Sequence, residues 1–129
     1  MASVGNYMKP IVKHSASVQV RTIPVGTDAS TQVLLGADDG MPNFSMRKFS
    51  MQEGGGMPLH TNTVEHEQYV LRGHARIRIG DEDHEVGPED VVYIPAGIPH
   101  SYHVLQGPFE FLCMVPNLPD TLELLDERC

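Results

Sequence analysis

The chain is short of cysteine, of positive charge and of long apolar runs, and each shortage removes a class of function. Its two cysteines are Cys113 and Cys129. One lies in an apolar run and the other is the last residue, so no disulfide framework is expected and the setting reads as reducing and cytoplasmic. Lysine and arginine number 9 against 17 aspartates and glutamates, a net charge of -8 with the seven histidines neutral. An acidic chain without a basic cluster is a poor partner for nucleic acid or an anionic membrane. No apolar run approaches the roughly 20 residues of a membrane span. The start, "MASVGNYMKPIV", lacks the charged lead and apolar stretch of a secretory leader. No internal repeat and no low-complexity segment is visible. The glycines of "EGGG" lead into a strand and not a helix, so they do not form a phosphate-cradling loop. No residue supports a covalent nucleophile mechanism.

What is present is punctuation. The 129 residues suit one domain with one core. Its 12 glycines and 10 prolines are spread between short apolar runs. Such spacing favours an all-β barrel or sandwich over a helical or α/β fold. Val18 to Ile23 and Thr31 to Gly36 read as early strands. Asn43 to Met51 ends in the turn-prone "EGGG". "EQYVLRG" and "HARIRIG" read as two strands around Gly73, with Ala75, Ile77 and Ile79 alternating with His74, Arg76 and Arg78. "GDED" is a hairpin turn. Asp90 to Pro95, "HSYHVL" and Phe109 to Pro116 complete the set. Only the tail reads as helical: Asp120 caps "TLELLDER", with Glu123 closing a capping box. The division expected is a lead-in at 1–14, a barrel at 15–118 and a tail at 119–129.

The histidines sort by parity. His60 and Asn62 are two apart, which on a strand gives them one face. His66 follows across a short loop, and His100 arrives from far off after "PAGIP". Ligands converging from separate strands are what a metal site needs. His74 shares its face with two arginines, His84 borders a charged hairpin, His14 lies in the lead-in, and His103 has the opposite parity to His100. His60, His66 and His100 remain as the converging set, either as metal ligands or as ordinary polar and core histidines.

These residues resemble the two motifs of the cupin superfamily. Gly54, His60, His66 and Gly73 fall at the places of the first motif, with Asn62 at its second histidine and His66 at its glutamate. Pro95, Gly97 and His100 fit the second, with Glu89 and Val104 in place of its glycine and asparagine. The likeness covers about Pro42 to Pro116. It is closer to the small single-domain bacterial cupins that carry "EHE" after the histidine pair. The segments "MPNFSMRKFS", "EHEQYVLRG" and "FEFLCMVP" match that group. The resemblance implies a single-domain double-stranded β-helix, a jelly-roll barrel with a short helical tail. It implies a four-histidine manganese or copper site reduced here to His60, His66 and His100, oxygen-dependent activity in some relatives, and a homodimer. Residues 18–23 and 31–36 are the expected packing or exchanging strands. A cupin fold alone does not fix the reaction.

Asn62 either ligates weakly through its amide oxygen or withdraws and opens a position. A divalent transition metal, whether manganese, iron, copper, zinc or nickel, is the expected cofactor, with Asn62 counted among its ligands. No carboxylate is expected beside it, so a small anionic substrate should fill the open positions. Ligating histidines must be neutral, so metal should leave below about pH 6. Tyr102 shares the parity of His100 and either lines the pocket or fills core. Arg47 either meets an anionic substrate or is solvated. Glu65 and Glu67 point away, Met46, Met51 and Met57 fill core, and Cys113 is a small buried residue. The function expected is a dioxygenase-type oxidoreductase acting on a small anionic molecule. The alternatives are a non-redox isomerase, lyase or hydrolase, and a non-catalytic small-molecule binder.

Overall fold

The computed structural model describes residues 9–126. Eight strands follow in order: β1 Arg21–Thr22, β2 Thr27–Leu35, β3 Phe44–Thr61, β4 His66–Ile79, β5 Glu82–Val86, β6 Val91–Ile94, β7 His100–Pro116 and β8 Glu123–Leu124. All pair antiparallel, in the order β1-β2-β3-β7-β4-β5, with β6 on β4 and β8 on β3. Among the described residues there is no α-helix, only short 3-10 turns at Ser15–Ser17 and Ala37–Asp39. No helix is long and apolar enough to cross a membrane.

Three long strands carry the architecture, and each bends where its inward parity changes. On β4, His66, Gln68 and Val70 are buried, then Ala75 and Ile77. The switch falls at Gly73, whose φ is +80°. A side chain there would be strained and would meet the backbone of Phe109 from β7. On β7, His100, Tyr102 and Val104 are buried, then Phe109, Phe111, Cys113 and Val115, with the switch at Gly107 and Pro108. On β3, pairing with β7 shifts between Met51 and Gly56 and again before His60. The "EGGG" run is thus a bulged continuation of a strand and not a turn between strands. Gly56 lies flat on the Tyr102 carbonyl, where no Cβ fits. The pairs expected around Gly73 and between "HSYHVL" and Phe109 are single bent strands. The bends let one strand serve two faces of the roll, which closes on Met51, Ile77, Ile94, Phe109 and Phe111, all essentially without exposure.

The first early strand is shorter than expected, with only Arg21–Thr22 of that run paired, and the second is longer and begins at Thr27. The tail is a correction. It is extended and not helical, pairing Glu123 with Thr61 and Leu124 with His60. Leu125 donates its N–H to the Leu59 carbonyl at 3.0 Å. Asp120 does not cap a helix. It accepts from the Thr63 N–H at 2.9 Å, and the Thr121 N–H finds Thr63 Oγ1 at 2.9 Å. A segment this short is a marginal helix alone, and cross-chain partners outbid its own turn. The last two residues of the expected helix, 127 and 128, lie outside the described residues.

Candidate functional site

A cavity of about 270 Å³ opens inside the roll. One wall is apolar, with Phe49, Phe111 and Tyr102 in near-parallel array at centroid distances of 5.1 and 5.4 Å. All six residues singled out from the sequence line the same cavity: Arg47, His60, Asn62, His66, His100 and Tyr102. β3 delivers Arg47 and His60, the loop after it Asn62, the start of β4 His66, and the start of β7 His100 and Tyr102. His60 and His100 are register partners on β3 and β7, which brings their rings to 4.2 Å between centroids. The His66 ring lies 5.4 Å from that of His100. The four excluded histidines, at 14, 74, 84 and 103, are all exposed.

Hydrogen bonds fix how each group presents itself. His60 Nδ1 lies 2.7 Å from the Pro58 carbonyl and His100 Nδ1 lies 2.9 Å from that of Ile98. A carbonyl only accepts, so both rings carry their proton on Nδ1 and leave Nε2 bare. Burial pushes the His100 pKa down to about 4. Asn62 gives its amide N–H to Asp120 at 3.0 Å and places Oδ1 3.1 Å from His66 Nε2. His66 Nδ1 faces the Arg47 guanidinium at 3.4 Å and Cys113 Sγ at 3.5 Å. Burial foremost, then Arg47, lowers the His66 pKa to about 3. Arg47 also lies 4.9 Å over the Phe49 ring, and its Nε is buried without an acceptor among the described residues. Tyr102 is buried and its hydroxyl takes a 2.6 Å hydrogen bond from Gln68. Burial raises its pKa, so it stays a neutral O–H.

Three contributors were not foreseen. Asp120 brings a carboxylate to the cavity rim, where none was expected. Gln68 holds Tyr102. Cys113, expected as a small buried residue and buried as expected, also contacts Arg47 and His66. No local pattern announced them: Asn62 and Asp120 are 58 positions apart.

The donor set fits a divalent metal in part. His60 and His100 offer bare imidazole nitrogens, and Asn62 offers an oxygen on the same wall. His66 does not fit as placed, because Nε2 addresses Asn62 and Nδ1 addresses donors. Among the described residues no three His, Cys, Asp or Glu side chains gather into a ready ligand set.

Residues 47–115 match the family model of the Cupin domain (Cupin_2), more than half of the chain. The chain belongs to the cupin family. Among solved cupins and other barrels it is similar to the polyketide cyclase RemF from Streptomyces resistomycificus, at 29% identity and TM-score 0.79 over 94% of this chain and 89% of that one. A cupin 2 domain-containing protein from Halorhodospira halophila shares 32% identity at TM-score 0.72, over 78% and 72% of the two chains. A Bacillus subtilis oxalate decarboxylase is similar in fold, at 21% identity and TM-score 0.74, with 91% of this chain laid on 33% of that one. No functionally curated protein matches the sequence. The cupin barrel and its membership in the small cupin 2 group thus stand as read from the motifs.

Proposed function

We propose that this cupin is a metal-dependent enzyme acting on a small anionic, carbonyl-bearing molecule by redox-neutral chemistry. The observation that carries the reading is Arg47. Its buried Nε lacks an acceptor in a cavity shared with the bare Nε2 atoms of His60 and His100. A carboxylate or enolate oxygen would supply that acceptor. His60 and His100, with the Asn62 oxygen, would hold the divalent metal. Bound there, the ion would polarise a carbonyl as a Lewis acid. Arg47 would anchor the anionic end, and Tyr102, as a neutral O–H, would donate to a developing oxygen anion. The wall of Phe49 and Phe111 would exclude water and seat the flat, conjugated part of the molecule.

The likeness to a polyketide cyclase over nearly the whole chain favours this class. Cyclisation of a poly-carbonyl chain joins an enolate carbon to a carbonyl carbon. The α-proton leaves, the carbonyl oxygen gains a proton, and no oxidant is consumed. A dioxygenase-type reaction on a chelated anion is the second reading, which the "EHE" resemblance favours. Turnover with a candidate keto-acid under strict anaerobiosis decides between them: activity that stops without oxygen overturns the redox-neutral reading. Metal analysis of protein purified without added metal tests the cofactor. No metal, and no uptake of manganese, iron, copper, zinc or nickel on reconstitution, would favour a non-catalytic binder. A cytoplasmic homodimer packed through residues 18–23 and 31–36 belongs to the same proposal.

A further inference from the structure

We infer that His66 is held as a hydrogen-bond donor to Asn62 and stands outside the metal's ligand set, leaving His60, His100 and the amide oxygen of Asn62 as the centre this chain offers. The assignment follows from what each atom can do. The Asp120 carboxylate accepts and does not donate, so the Asn62 atom 3.0 Å from it is the amide nitrogen. The same carboxylate is anchored by the Thr63 N–H at 2.9 Å. The other Asn62 atom is therefore the oxygen, 3.1 Å from His66 Nε2. An amide oxygen only accepts, so the His66 proton is on Nε2.

The far side of the ring agrees. A nitrogen that faces a guanidinium can only be the accepting one, so Nδ1 presents its lone pair. Arg47 can only donate, and its Nη2 stands 3.4 Å from that lone pair. The Cys113 thiol, kept protonated by burial, lies 3.5 Å away. Its sulfur accepts from Arg47 at 3.4 Å and from Gln68 at 3.8 Å. The chain of donors runs one way, from Arg47 through His66 and Asn62 to Asp120, with no link reversed.

For His66 to ligate through Nε2, its proton would have to move to Nδ1 and point at a guanidinium. His60 and His100 face no such obstacle, since each donates Nδ1–H to a carbonyl. Arg47 and His66 are thus positioning residues: they fix which way the Asn62 amide faces, with its oxygen on the His66 ring. The asparagine at the second histidine place is the link that makes this possible.

The inference rests on the metal-dependent reading for its ligand set, but its first test needs neither metal nor turnover. Long-range nitrogen–proton NMR correlations of the histidine rings in metal-free protein report the tautomers. The expected result is His66 as Nε2–H, with His60 and His100 as Nδ1–H. His66 found as Nδ1–H overturns the inference. Zinc is then added. The Nε2 signals of His60 and His100 should shift while His66 keeps its Nε2 proton; loss of that proton overturns the inference. Zinc affinity of variants gives an independent arm. His66→Gln should cost about tenfold, as an outer partner does, while His60→Gln and His100→Gln cost a hundredfold or more. Equal losses at all three sites overturn it. Protein that takes up no zinc sinks the metal-dependent reading instead, and the metal-free tautomers still decide this one.

Discussion

Arg47 carries two jobs on one guanidinium. Its Nη2 faces His66 and Cys113, and its buried Nε has no acceptor among the described residues. Arg47→Met keeps the packing on Phe49 but removes every donor. Affinity for a keto-acid, measured by calorimetry on metal-loaded protein, is expected to fall about 10- to 100-fold, the weight of one or two charge-assisted hydrogen bonds. Unchanged affinity would remove Arg47 from the substrate site. The buried rings make a second residue-scale prediction. His66 and His100 have folded pKa values of about 3 and about 4, against an ordinary 6.5. The unfolded chain therefore binds protons on them where the folded chain does not. Their contribution to stability is complete above pH 6.5 and is lost as pH falls through that value toward 4. The Tm of metal-free protein should drop across this window, and the drop should shrink in His66→Gln. A flat profile between pH 7 and pH 4.5 would contradict the burial of these rings.

Elements explain what the sequence could and could not reveal. Alternation is local, so parity sorted the histidines well: those placed inward line the cavity, and those placed outward are exposed. The motif glycines and Pro95, Gly97 and His100 made the barrel legible because each marks a turn or bulge the fold requires. Strand continuity was not legible. A glycine reads as a break, yet Gly73 bends β4 without ending it, and the pairing with β7 that carries it through is 30 or more positions away. The tail was misread for the same reason. Asp120 two residues before a leucine looks like a cap, and nothing nearby shows that Thr63 and Asn62 will claim its carboxylate. Gly73→Ala is the sharpest test at this scale. The left-handed backbone and the approach of Phe109 together should cost about 3 kcal/mol, read from urea denaturation at constant slope. A loss under 1 kcal/mol would mean the bend is loosely defined.

At the scale of the whole molecule, the roll leaves its early strands thinly paired: β1 meets only two residues of β2. Sedimentation velocity is expected to show a dimer, and Val33→Glu, on the exposed side of β2, should shift it toward monomer. A wild-type monomer at micromolar concentration would remove the association from the proposal. The tail has a wider consequence. The tail is held by the two register pairs of β8, by Leu125 on Leu59, and by the hydrogen bonds that join Pro119, Asp120 and Thr121 to Asn62 and Thr63, and its Asp120 and Leu122 line the cavity. An exposed segment of this kind opens at lower cost than the buried core strands beside it. Amide hydrogen exchange should therefore find Leu125, bonded to Leu59, exchanging orders of magnitude faster than Val70 or Phe111. Each opening also withdraws the carboxylate that keeps the Asn62 amide facing its proper way. Because Asp120 and Leu122 line the cavity, its occupancy and the protection of the tail are expected to rise together.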